Sequence, residues 1–129
     1  MLGKLQWLLF SMVLLLAFDA NAAPPTCHTH TSGPYCQYVG TVEQAYVNDG
    51  GTILLYFDAP MQPGAPDAVG ISGVTQTSAA AYRMENNQEF AKLLYASLLS
   101  AQARGATIIV QLRGRYGGYL MIDRIWVRD

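Results

Sequence analysis

One segment in the second half of this sequence carries both start and stop signals for an α-helix. Asn86 can cap the first turn, Glu89 follows three residues later as its capping-box partner, and Gly105 can end the helix in a left-handed conformation. The predicted helix covers residues 88–104, and its apolar residues recur along one face. That face comprises Phe90, Leu94, Leu98 and Ala101, with Leu93 and Ser97 on its flank. A helix with one apolar face must cover another layer, and the remaining sequence predicts a sheet.

Two β-hairpins are predicted, one on each side of the helix. Residues 38–47 and 52–58 alternate or are strongly β-forming, and Asn48-Asp49-Gly50-Gly51 between them accepts the positive φ angles of a tight turn. Residues 107–113 and 119–127 form the second predicted pair, joined by the glycine-rich residues 114–118.

The segment between the first hairpin and the helix is predicted to be mostly loop. Residues 59–73 contain three prolines and three glycines, which a helix or a central strand does not tolerate, so an exposed loop is expected. Residues 74–84 are rich in small and β-branched side chains and predict a third strand. In the last strand, Asp123 either pairs with a neighbouring arginine or faces water.

The N-terminus is typical of a secretory signal peptide. Lys4 precedes the apolar run of residues 5–18, and Ala20-Asn21-Ala22 supplies the small residues of a cleavage site before Ala23. A membrane anchor is the alternative, but a spanning helix needs about 20 apolar residues. We therefore expect residues 1–22 to be removed, leaving 107 of the 129 residues as a periplasmic or secreted protein without a membrane span.

The two cysteines, Cys27 and Cys36, both lie in the exported part, where a disulfide can persist. We expect a bond between them, and hence a disulfide-bearing arm of residues 23–36 ahead of a folded domain of residues 37–129. Zinc binding through Cys27, His28 and His30 is the alternative. It is not expected, because the exported part has no cysteine or histidine other than these three and Cys36, the expected disulfide partner of Cys27.

Charge and motif content exclude several function classes. The formal net charge is −1, and there is no Lys/Arg-rich run of the kind that nucleic-acid binding requires. No nucleophile motif or phosphate loop is present, so we expect no enzyme activity and no cofactor. A hydrolase would require that Glu43, Asp58 or Asp123 meet in a cleft.

Aromatic and polar residues at the two hairpin turns are candidates for ligand binding. Sugars pack on aromatic rings while planar polar groups satisfy their hydroxyls. The alternative is that these residues serve turn geometry and cross-strand packing. The candidates are Tyr46, Asn48 and Asp49 at the first turn, and Arg115, Tyr116 and Tyr119 at the second.

The outer side of the predicted helix carries Tyr95 and Leu99, where a monomer would usually present charged residues. These two side chains are either half-exposed, as on many soluble proteins, or part of a subunit interface.

The sequence resembles a known family at the helix and the strand after it. The segments are Glu89-Phe90-Ala91-Lys92-Leu93-Leu94-Tyr95-Ala96 and Ala101-Gln102-Ala103-Arg104-Gly105, which lead into residues 107–110. They are similar to the B subunits of AB5 toxins, of the subtilase-cytotoxin and pertussis-like type. The order of elements is that of a five-stranded OB-type Greek-key barrel with its helix between strands three and four.

This resemblance implies an exported, non-enzymatic subunit that binds a glycan or another surface receptor. It also implies a homopentameric ring, with helices lining the channel, that partners a toxin A subunit. The sequence departs from the family in two respects. Both of its cysteines lie in the arm, and the loop of residues 59–73 has no counterpart in the family. The alternative is a monomeric periplasmic structural, inhibitor or accessory protein that docks on a larger partner through Tyr95 and Leu99 or through a sheet edge.

Overall fold

The computed structural model describes residues 23–129, so the predicted signal peptide of residues 1–22 lies outside the described residues. The protein is mainly β with one long helix, which confirms the expected α+β class. The strands are β1 (Thr26–His28), β2 (Tyr35–Gly40), β3 (Ala45–Val47), β4 (Thr52–Tyr56), β5 (Ala79–Arg83), β6 (Thr107–Tyr116) and β7 (Tyr119–Arg128). The helices are α1 (Ala65–Ala68) and α2 (Gln88–Arg104), with a 3-10 turn at Met84–Asn86.

The strands form one sheet in the order β1-β2-β6-β7-β5-β4-β3. All neighbouring strands are antiparallel except β5 and β7, which are parallel. The prediction of five strands is wrong for two reasons. The arm supplies β1, in which Cys27 pairs directly with Cys36 of β2 and forms the expected disulfide. The predicted strand of residues 38–47 is divided into β2 and β3.

The division between β2 and β3 has a local cause in the side chain of Asp58. Its Oδ2 accepts hydrogen bonds from the Thr41 backbone N–H at 3.1 Å and from the Thr41 hydroxyl at 3.2 Å, which diverts the chain from a straight strand. The Tyr38 hydroxyl donates to the Thr41 carbonyl at 2.7 Å and accepts from the Asp58 N–H at 3.3 Å. A side chain at Gly40 would lie 2.5 Å from that hydroxyl. The bend is therefore specified by a connected set of polar contacts.

This bend brings two distant positions of the sheet together. β2 pairs with β6 and β3 pairs with β4, so they belong to different parts of the strand order. Residues 41–44 join them directly, and the five Cα–Cα steps from Gly40 to Ala45 span no more than about 18 Å. The sheet must therefore curl strongly between β6 and β4.

The core fills the concave side of this sheet and is closed by α2. Strand residues alternate between the core and the outer face, as a pleated sheet requires. Burying a leucine of this core contributes about 2 kcal/mol. The fully buried residues include Tyr38, Ile53, Leu55, Ile108, Val110, Leu112, Leu120 and Ile122 of the strands and Ala91, Leu94, Leu98 and Ala101 of the helix.

The bounds of α2 are those predicted, and Gly105 ends it with φ 60°, as expected. The cap, however, is Asn87 rather than Asn86, because the 3-10 turn extends through Asn86. The Asn87 Oδ1 accepts from the Phe90 N–H at 3.0 Å. The prediction that Leu93 flanks the apolar face is also wrong, because Leu93 is 67% exposed.

No helix among residues 23–129 is long and apolar enough to cross a membrane.

The predicted exposed loop of residues 59–73 is partly buried. Met61 is 1% exposed and Ile71 is 6% exposed, and both join the hydrophobic core. Pro66 is buried in α1, a single turn within this loop. The prolines and glycines correctly indicated irregular backbone, but they gave no sign of the two apolar anchors. The predicted strand of residues 74–84 is shorter and coincides with β5.

The second hairpin is longer than predicted. β6 extends to Tyr116 and β7 begins at Tyr119, as predicted, so the predicted five-residue connection is reduced to Gly117 and Gly118. Gly114 lies inside β6 with φ 70°, near a shift in the strand register. Its left-handed backbone belongs to an irregular strand rather than to a turn.

Candidate functional site

The β3–β4 turn is held by the side chain of Asn48. Its Oδ1 accepts from the Thr52 N–H at 3.1 Å, and its carbonyl accepts from the Gly51 N–H at 3.2 Å. Gly51 adopts φ 85°, which favours glycine. The Asn48 Nδ2 donates to the Tyr46 hydroxyl at 3.4 Å, and Tyr46 is 41% exposed. Asn48 therefore supports the turn, while the Tyr46 side chain remains partly exposed at the surface.

Tyr116 connects the second hairpin to this turn. Its hydroxyl lies 3.1 Å from the Thr52 hydroxyl, at the first residue of β4. The Arg83 guanidinium lies over the Tyr116 ring, 5.9 Å from its centroid, a distance that permits a cation–π contact. Arg83 also forms an ion pair with Glu85. Tyr116 of the second predicted turn thus meets the residue that follows the first predicted turn, on the outer surface of β4 and β5.

A cleft of about 360 Å³ opens beside Arg83. It lies between the β3–β4 turn, the end of β5 and the first turns of α2. Its charged side chains are two acidic and two basic groups, so it has no net formal charge. The lining residues are Asp49, Gly50, Gly51, Arg83, Met84, Glu85, Gln88 and Lys92.

The six predicted ligand residues are distributed unevenly around this cleft. Asp49 lines it, and Tyr116 packs behind Arg83. Tyr46 and Asn48 lie beside it on the β3–β4 hairpin.

The other two predicted ligand residues are elsewhere. Arg115 donates to the Gly117 carbonyl at 2.9 Å and packs on Gly73, where a Cβ would lie 2.9 Å from its Nε. Tyr119 pairs with Tyr116 in the hairpin and is half-buried. Neither residue lines the cleft. Arg115 points to the face opposite Tyr116, because adjacent residues in a strand alternate, and the end of the hairpin that carries Tyr119 packs against the loop before β5.

The predicted interface residues Tyr95 and Leu99 line an apolar groove of about 270 Å³. Leu99 is 44% exposed and Val47 of strand β3 is 41% exposed. β3 pairs only with β4 among the described strands. The groove thus combines exposed apolar side chains with a strand edge. Its lining residues are Val47, Ile53, Met84, Ala91, Lys92, Tyr95, Ala96 and Leu99.

A second polar pocket, which the sequence did not predict, lies beside the β1–β2 hairpin. The rings of His28 and His30 lie 5.2 and 6.3 Å from the ring of Tyr35, and the Arg113 guanidinium lies 5.3 Å from its centroid. The sequence predicts only a disulfide-bearing arm for residues 23–36. Two histidines inside a disulfide loop were the signal that could have indicated this pocket.

The carboxylates considered for hydrolysis are engaged in separate contacts. Asp58 accepts from Thr41, and Asp123 accepts from the Arg124 Nε at 2.6 Å. Glu43 is exposed, and its contact with α2 is made by its backbone carbonyl, which accepts from Gln102, and not by its carboxylate. Within residues 23–129, no three histidine, cysteine or acidic residues are grouped so that they could hold a metal ion.

Comparisons with known proteins give no relative. No protein-family model matches the chain, no curated protein is significantly similar to it, and no solved structure is significantly similar to its fold.

Proposed function

We propose that the chain is an exported, non-enzymatic binding subunit with an OB-type barrel, similar to the B subunits of AB5 toxins. The strand pairing supports this barrel. If β2 and β3 are the two halves of one bent strand, that strand pairs with β6 at one half and with β4 at the other. The sheet then closes as five strands, with α2 between the third and the fourth. In OB-type folds, the loops that correspond to the β3–β4 and β6–β7 turns border the binding face.

The contact of the second hairpin with the start of β4 carries the proposal of a ligand site. Tyr116 touches Thr52 and Arg83, which places an aromatic ring and a guanidinium beside a polar cleft. The cleft presents carboxylates, an amide, an ammonium group and the backbone of two glycines. These groups can form hydrogen bonds with hydroxyls in many orientations, and their formal charges sum to zero. A polyhydroxyl ligand without a strong charge, such as a neutral glycan of a cell surface, suits this chemistry.

A glycan array with residues 23–129 tests this ligand class. Asp49→Ala removes an acceptor from the cleft, and we expect affinity for the best-bound glycan to fall about tenfold, as for loss of a hydrogen bond to a charged group. Asp67→Ala, which removes an exposed carboxylate in α1, is the matched control and should bind like the wild type. Absence of glycan binding by the wild type, or equal losses in both variants, would contradict the proposal.

The apolar groove supports assembly of the subunit into a homo-oligomer. Tyr95, Leu99 and Val47 form a continuous apolar surface next to the edge of β3. A second copy would remove this surface from water and could add backbone hydrogen bonds to β3. A ring formed in this way would carry several copies of the glycan site. Partnership with a toxin A subunit belongs to the same proposal.

A second candidate function, a monomeric accessory protein that docks on a larger partner, is favoured by a row of apolar side chains on the outer face. Val39 pairs with Ile109, and Ile109 pairs with Trp126, so the three side chains lie side by side across β2, β6 and β7. Val39 and Trp126 are each 44% exposed. An exposed tryptophan in such a row is a typical anchor of a protein interface. The oligomeric state in solution separates the two candidates.

A further inference from the structure

The second polar pocket is a concave site of about 480 Å³ on the outer face of the sheet. Cys36 and Leu112 point into the core, so their strand neighbours Tyr35, Gln111 and Arg113 point outward. None of its lining residues lines the cleft at the β3–β4 turn. The pocket is lined by His30, Ser32, Tyr35, Gln111, Arg113 and Arg124.

Internal contacts fix the wall of this pocket. The Arg113 Nη1 donates to the Gly33 carbonyl at 3.2 Å, and its guanidinium packs over Tyr35. The Ser32 hydroxyl lies 2.7 Å from the His30 Nδ1, which also accepts from the Ser32 backbone N–H at 3.1 Å. The disulfide of Cys27 with Cys36 closes the hairpin that carries these groups. The wall is thus held in place without a ligand.

Several polar groups that face the pocket have no hydrogen-bond partner within residues 23–129. They are the Tyr35 hydroxyl, the Gln111 amide and the two terminal nitrogens of Arg124. The Arg113 Nε is buried and also unpaired, with the nearest carboxylate oxygen, that of Asp123, 3.9 Å away. Because the His30 Nδ1 accepts a hydrogen bond, the neutral imidazole carries its proton on Nε2 and can donate. The pocket is therefore rich in donors.

The charges at the pocket match a ligand with one negative charge. Arg113 and Arg124 contribute two positive charges, and Asp123, which accepts from the Arg124 Nε, contributes one negative charge. A phosphate monoester carries a charge of about −1.5 to −2, which exceeds the remaining positive charge. A carboxylate has one charge and a planar pair of oxygens that suits a guanidinium. We propose that this pocket is a second binding site, for a ligand that bears a carboxylate group.

Nuclear magnetic resonance titration of residues 23–129 with D-galacturonate and D-galactose tests this proposal. The two sugars share a ring and differ in the carboxylate that replaces the hydroxymethyl group. We expect galacturonate to cause saturable amide shifts at residues 30–33, 35, 111–113 and 124, and galactose to cause none there. Succinate is the third probe. Shifts equivalent to those caused by galacturonate show that a carboxylate alone is sufficient for binding, and the absence of such shifts shows that the ligand is a sugar acid. Equal binding of galactose, or no saturable shift with either acid, overturns the proposal.

Two variants test whether the acid binds at the pocket itself. Arg124→Gln removes the half-exposed guanidinium that has unpaired nitrogens. We expect the acid that binds the wild type to bind this variant at least about tenfold more weakly. Arg128→Gln removes a guanidinium from the same strand outside the pocket and should leave the affinity unchanged. Equal losses in the two variants would show that general surface charge attracts the acid, and would overturn the proposal.

Discussion

Tyr38 shows how one buried side chain can shape the whole sheet. It is fully buried, and its hydroxyl joins β2 to the Asp58 backbone and to the bend of residues 41–44. Its ring also packs on Phe57, with centroids 5.1 Å apart. Burial raises the pKa of Tyr38 far above its usual range, and the nearby carboxylate of Asp58 raises it further. The folded state therefore holds this phenol neutral.

This raised pKa predicts a loss of stability at alkaline pH. The contribution of Tyr38 is complete below the pKa of an unfolded tyrosine, about 10, and is lost as the pH rises above that value, because only the unfolded state then releases the proton. In Tyr38→Phe, stability falls by about 1 to 3 kcal/mol at neutral pH because two hydrogen bonds are lost. Urea unfolding between about pH 8 and pH 11 should show the difference between wild type and variant shrinking above about pH 10. A constant difference would contradict this account.

The elements predicted correctly from the sequence are those with local signals. The helix α2, the β3–β4 turn and the disulfide each depend on a few neighbouring residues with a defined backbone preference or chemistry. The strand β1 was not predicted, because a strand of three residues is too short to show periodicity. The disulfide imposes its pairing with β2. Gly114 indicated a turn, yet it lies within β6, because sequence alone does not distinguish a turn glycine from one at a strand irregularity.

Only part of the candidate site was predicted, because only some of its residues have a local signal in the sequence. Asp49 and Tyr116 were found by their positions at turns, but the contact of Tyr116 with Thr52 joins residues 64 positions apart in the chain. Arg83, Glu85 and Lys92 enter the cleft through tertiary packing of β5 and α2. No local pattern marks such residues.

The start of α2 permits a matched test of helix capping. Asn87 accepts from the Phe90 N–H, whereas Asn86 belongs to the preceding turn. We expect Asn87→Ala to lower the free energy of unfolding by about 1 kcal/mol, since an N–H of the first turn loses its acceptor. Asn86→Ala should change it by less than about 0.5 kcal/mol, as for an exposed surface residue. Thermal or urea unfolding of the two variants measures both effects. A larger loss in Asn86→Ala would assign the cap to that residue.

At the scale of the whole molecule, the surface of the described residues carries two polar pockets and an apolar groove. The polar cleft and the second pocket lie among charged and hydroxyl side chains. The groove at α2 and β3 is almost entirely apolar, with Lys92 as its one charged lining residue. The polar cleft and the groove share Met84 and Lys92, so an interface at the groove would border the cleft, whereas the second pocket shares no lining residue with the groove.

The mass of residues 23–129 in solution, measured by light scattering, tests the central claim that the chain is an assembling subunit. We predict a homo-oligomer, with five copies if the resemblance to toxin B subunits holds. Leu99→Glu places a charge in the groove and should reduce the mass to that of one chain. Leu93→Glu, at a residue that is 67% exposed and outside the groove, is the matched control and should leave the oligomer intact. A monomeric wild type, or equal masses for both variants, would contradict the account and favour the monomeric accessory protein.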